Sequence, residues 1–127
     1  MNQELKVLIV SKNSETFDTL FPVVKDSSFT LLHTDSGHDA IEKIRSQKID
    51  VAIVADSLND MSGLDCVKRI VPENPFINCA LESPLSSDDF HEVTEGYGIF
   101  MQFSMPPKAA EGISMLDKLT KIYQLTA

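Results

Sequence analysis

Reactive side chains are few in this sequence, and they gather where apolar runs end. Ser11 and Lys12 follow Val10, Asp56 and Ser57 follow Ala55, Ala80 and Ser83 close a fourth apolar run, and Ser104 and Met105 close a fifth. Nucleophilic catalysis finds no support among them. No Gly-x-Ser-x-Gly elbow occurs, and His33, His38 and His91 fall on a strand, a helix and a helix, away from any convergent serine. There is neither a Walker loop nor a Gly-x-Gly-x-x-Gly, so nucleotide binding has no signature. A hard cation needs several oxygen ligands, and only Asp56, with Asp60 nearby, offers a carboxylate. No catalytic residue and no metal site are therefore expected, and the chain is read as a non-enzyme. Cys66 and Cys79 lie in apolar segments without a Cys-x-x-Cys or Cys/His metal spacing, which predicts buried thiols and a reducing, cytoplasmic setting.

The elements that must position these residues alternate strictly. Strands are predicted over Leu5–Val10, Phe29–His33, Asp50–Ala55, Phe76–Leu81 and Ile99–Phe103 from their β-branched and aliphatic content. Helices are predicted over Ser14–Lys25, His38–Ser46 and Ser62–Ile70, then from the Ser83–Asp89 segment to about Thr94, and from Pro107 to about Leu125. Pro22 should kink or shorten the first helix, Pro72 should end the third, and Gly96 and Gly98 should stop the fourth. Ile113, Leu116, Leu119 and Tyr123 form the expected buried stripe of the last helix, and Asn78 is expected to be a satisfied buried amide. Five strand–helix pairs imply a three-layer, doubly wound (βα)5 sandwich of flavodoxin-like type, with a parallel five-stranded sheet in the order 2-1-3-4-5. A closed eight-unit barrel needs about twice this length.

A chain of 127 residues suits one domain over 1–127, able to bury a core without disulfides or metals. Nineteen acidic against eleven basic side chains give a net charge of −8, which argues against nucleic acid as a partner because phosphate-backbone binding needs a cationic face. No basic, apolar leader opens the sequence and no run reaches the roughly 18 apolar residues of a membrane span, so a soluble cytoplasmic protein away from the membrane is expected.

On these residues the sequence resembles a known family. The runs Lys6 to Val10, Ser36-Gly37-x-x-Ala40-Ile41-Glu42, Asp50 to Val54, Met61-Ser62-Gly63-Leu64 and Met105-Pro106 resemble the response-regulator receiver domain of two-component phosphorelay signalling over essentially the whole chain. The resemblance implies phosphoryl transfer from a histidine kinase to an aspartate ending strand 3. An acidic pair after strand 1 would hold Mg²⁺, helped by a hydroxyl residue ending strand 4 and a lysine ending strand 5.

This sequence keeps the apolar frame and changes each of those positions. Ser11 and Lys12 replace the acidic pair. The family's acceptor lies five residues after the aspartate opening strand 3 and eight before the glycine of the Met-x-Gly turn; both counts reach Ala55, not Asp56. Counting from Pro75 places the hydroxyl position at Ala80, with Ser83 close by, and Met105 stands where the lysine belongs. Ser11, Lys12, Ala55, Ala80 and Met105 thus outline a degenerate acceptor pocket, and the resemblance is to a pseudo-receiver.

Three functions follow as expectations. The first is a phosphorylation-independent interaction module that contacts other signalling proteins. In the family the partner face is the fourth helix, fifth strand and fifth helix, where Asp88, Asp89, Glu92 and Glu95 oppose Lys108, Lys118 and Lys121; opposite charges there suit a two-fold homodimer. The second is a phosphorylatable receiver with Asp56 as a displaced acceptor, which needs a bulge or an early exit from the strand to re-aim its side chain. The third is a small flavin-binding protein with Ser11, Asn13, Ser14 and Thr16 around a phosphate, but that loop has no glycine to admit one and the chain has no tryptophan to stack on a flavin. No cofactor is expected.

Overall fold

A computed structural model describes residues 5–20, 22 and 29–123. Its strands are β1 (Leu5–Val10), β2 (Phe29–Thr34), β3 (Val51–Val54), β4 (Asn78–Glu82) and β5 (Ile99–Phe103). Its α-helices among the described residues are α1 (Gly37–Ser46), α2 (Gly63–Glu73), α3 (Ser87–Thr94) and α4 (Ala109–Tyr123). The strands form one sheet in the order β2-β1-β3-β4-β5, and every pairing is parallel. The predicted doubly wound architecture and strand order are those observed.

The central strands show why the fold forms. All four residues of β3 are buried, as are Val7 to Val10 of β1, so these strands are apolar on both faces and must be covered on both. Three of the four described α-helices open on a serine. Ser36, Ser62 and Ser86 accept the amides of Asp39, Asp65 and Asp89 at the starts of α1, α2 and α3. Each thereby satisfies an amide that the first turn leaves without a partner, worth about 1 kcal/mol. Gly96 and Gly98, at φ of 89° and 67°, supply the left-handed backbone that turns the chain from α3 into β5.

Several boundaries depart from expectation. β4 begins at Asn78, not Phe76, and runs to Glu82; Phe76 is 86% exposed and lies before the strand. Pro72 sits inside the last turn of α2 and does not end it, since the helix closes only one residue later and the Asn74 amide still reaches the Ile70 carbonyl. In α4 the buried side is Gly112, Met115 and Leu119, while Ile113 is 62% exposed. The helix expected over Ser14–Lys25 does not begin at Ser14: residues 14–17 form turns and Asp18–Leu20 a 3-10 turn, while 21 and 23–25 lie outside the described residues.

Candidate functional site

The loops after β1, β3, β4 and β5 meet at the carboxyl edge of the sheet, where the fold favours ligand sites. Ser11 is fully buried there. Its amide donates to the Thr34 carbonyl (3.0 Å), its Oγ donates to the Asn13 carbonyl (2.9 Å), and His33 Nε2 lies 3.2 Å from that Oγ. Ser11 therefore anchors the loop between β1 and β2. Lys12, next to it, is exposed.

At the end of β3, Ala55 is 4% exposed and donates its amide to the Val10 carbonyl of β1 (2.8 Å). The half-buried Asp56 turns its amide the other way, to Oε1 of Glu82 at the end of β4 (3.1 Å). β3 ends at Val54, and Asp56 stands at a bend beyond it. Asp60 is drawn away from this edge: its two carboxylate oxygens accept the amides of Gly37 (2.8 Å) and His38 (2.9 Å) at the start of α1. Those bonds, that of His38 first, hold its carboxyl below the usual aspartate range.

The placement of Ala80 at the strand end is corrected. β3 and β4 pair Ile53 with Ala80 and Val54 with Leu81, so Ala80 is buried inside the strand and Glu82 comes opposite Ala55. The count from Pro75 fails because an exposed turn, not strand, follows that proline. Glu82 is the residue that sequence reasoning missed. It is a carboxylate 6% exposed, and burial, partly offset by the Asp56 amide, raises its pKa above the usual glutamate value; the Asp56 charge adds to the rise. An acid closing the run Cys79-Ala80-Leu81-Glu82 was the signal available.

At the end of β5, Ser104 donates its amide and its hydroxyl to the two carboxylate oxygens of Glu111, which also accepts the Lys108 amide at the start of α4. Met105 is 51% exposed and forms a wall of a pocket of about 430 Å³ with Asn13, Glu15, Thr16, Pro106, Pro107 and Glu82. The residues at this edge do not fit a Mg²⁺ site. Ser11 is engaged as described, Glu82 has one of its two oxygens held by the Asp56 amide, Lys12 brings no oxygen, and among the described residues no three His, Cys, Asp or Glu side chains converge to hold a metal ion.

Other candidates settle as structural groups. Cys66 and Cys79 are buried free thiols whose pKa burial pushes up to about 12. Asn78 donates to the Tyr123 hydroxyl (2.9 Å), which donates to the Asp50 carbonyl (3.0 Å). Asp88, Asp89, Glu92 and Glu95 on and after α3, and Lys108, Lys118 and Lys121 before and on α4, are all exposed, with Lys121 paired to Asp117 at 3.2 Å. Among the described residues no helix is long and apolar enough to cross a membrane.

The fold is shared with solved proteins. A CheY-like response-regulator receiver domain from Methanospirillum hungatei superposes with a TM-score of 0.80 at 12% identity, covering 96% of this chain and 98% of that one. The receiver domain of a putative LuxO repressor from Vibrio parahaemolyticus gives 0.74 at 23% identity, covering 96% of each chain. That of an HD domain-containing protein from Pseudomonas fluorescens gives 0.78 at 19%, covering 93% and 88%. These likenesses establish the fold as that of response-regulator receiver domains. In sequence, 85 residues, 67% of the chain, are 32% identical to a cyclic di-GMP phosphodiesterase of Thermotoga maritima, of whose length the match covers 22%. No protein-family model matches.

Proposed function

We propose that this chain is a receiver-like module of two-component signalling that acts through protein contact, without phosphoryl transfer and without catalysis of its own. The observation that carries this reading is the buried Ala55 where β3 opens onto the carboxyl edge, opposite Glu82. Phosphoryl transfer to a carboxylate depends on positioning and on neutralising charge with a metal and a cation. A methyl group offers no acceptor, Glu82 adds negative charge, and the exposed Met105 supplies no cation. Asp56 is poorly suited as a substitute: its charge already acts on the buried Glu82, and a phosphoryl group there would add negative charge beside that carboxylate.

The working surface in this reading is the edge strand β5 with α3 and α4 beside it. It brings exposed acids on α3 and exposed lysines on α4 to partners among other signalling proteins, including a second copy of the chain.

The test is incubation with acetyl phosphate and Mg²⁺ followed by intact mass. An unchanged mass is expected. Gain of a phosphoryl group that Asp56→Asn abolishes would establish the displaced-acceptor reading in its place.

A further inference from the structure

The pocket at the carboxyl edge is an open cleft between two walls. One wall is the loop after β1, where the Asn13 carbonyl accepts both the Ser11 hydroxyl and the Thr16 amide. The other is the Met105-Pro106-Pro107 segment, tied to the first by Thr19 Oγ1 donating to the Pro107 carbonyl (3.0 Å). Phe17, next to Thr16 of the first wall, packs edge-on against Phe103 at the end of β5, with ring centroids 5.8 Å apart, and so joins the two segments a second time. Glu82 lines it from the end of β4. Its Oε1 is held by the Asp56 amide, which leaves Oε2 to accept from an occupant.

We propose that this pocket binds an organic cation, an ammonium or guanidinium group on an apolar stem, with Glu82 as counter-ion and Met105, Pro106 and Pro107 against the stem. Three alternatives fit worse. An anion would meet Glu82 and Glu15, with the Asp56 charge close behind. A hard divalent ion needs about six oxygens, and the Met-Pro-Pro wall carries no side-chain oxygen. A wholly apolar ligand would seal Glu82 away from water without a partner. A guanidinium or ammonium group instead makes a charge-assisted bond to Oε2 and keeps its stem on apolar wall. The net charge of −8 favours its approach.

The experiment is an NMR titration of the full chain with n-butylguanidinium chloride, following the Asp56 amide and the Met105 methyl. Saturable shifts of both are expected, with Glu82→Gln weakening binding about tenfold or more. Met105→Lys, at an exposed wall position, should abolish binding even if Glu82→Gln fails to fold. A blocked Gly-Arg-Gly peptide that binds tighter than butylguanidinium would identify a partner's arginine as the source of the cation, and weaker peptide binding a free small molecule. Shifts that stay linear to about 50 mM, equal affinity in Glu82→Gln, or tighter binding of MgCl2 at the same signals would overturn the proposal.

Discussion

At the scale of single residues, two carboxylates of this protein are set to opposite ends of the acid range. Glu82 is buried, with the Asp56 charge beside it, so its folded pKa lies above that of the unfolded chain. A raised acid binds more protons in the folded state than in the unfolded one, and stability therefore falls as pH rises through that interval. Glu82→Gln keeps an acceptor for the Asp56 amide and removes the charge. It is expected to raise the melting temperature at pH 7, with the gain shrinking to nothing as pH falls below the ordinary glutamate value. Asp60 behaves in the opposite sense. Its two bonds to the start of α1 lower its pKa, so its contribution is complete above the ordinary aspartate value and is lost as pH falls through the lowered one. Asp60→Ala should cost about 1 kcal/mol in urea unfolding at neutral pH and progressively less in acid. Neither role was legible in the sequence. An acid six places after a strand reads as a candidate metal ligand until the fold shows that the amino end of α1, more than twenty residues earlier, lies within its reach.

At the scale of elements, the strand interiors were legible because burial on both faces writes an unbroken apolar run, as in Val51–Val54. Positions fixed by counting depend on what the count crosses. From Asp50 to Gly63 it runs through β3 and then a turn that the Ser57–Ser62 bridge closes, and both anchors reach the buried Ala55 just beyond the strand. From Pro75 it crossed an exposed turn and lost two residues, which put Ala80 where Glu82 stands. The anchor at Gly63 also has a steric origin. A Cβ there would overlap the Ala55 carbonyl oxygen and press on Leu81, so the turn after β3 closes on a residue with no side chain. At Gly37, the atoms nearest to a Cβ all belong to the Met61 side chain, which can swing away. Gly63→Ala is therefore expected to destabilise by about 3 kcal/mol or more, and Gly37→Ala by about 1 kcal/mol or less. Chemical denaturation of the two variants side by side measures the contrast, and equal losses would show that the backbone around Ala55 can yield.

At the scale of the whole molecule, the excess of negative charge is unevenly spread, and the face around β5 is where that matters. The acids of α3 have no lysine partner on their own helix, whereas Lys121 of α4 is already matched by Asp117 at 3.2 Å. That leaves Lys108 and Lys118 to meet a partner's acids. In a two-fold dimer each α3 would face the other copy's α4, so every such contact forms twice, and a charge reversal is felt twice. Exposed pairs of this kind are screened over about 10 Å at 0.1 M salt. Self-association measured by sedimentation equilibrium should therefore weaken steadily between low and high salt. Lys118→Glu should reduce it about tenfold at low salt. Lys121→Glu should reduce it less, because the wild-type charge there is largely spent on Asp117. Combining Lys118→Glu with Glu92→Lys should recover part of the loss, since reversing both signs restores attraction across the interface. A monomer at every concentration and salt would remove the second copy as a partner of this face. Equal effects of Lys118→Glu and Lys121→Glu would mean that net charge, not the apposition of α3 and α4, sets the association.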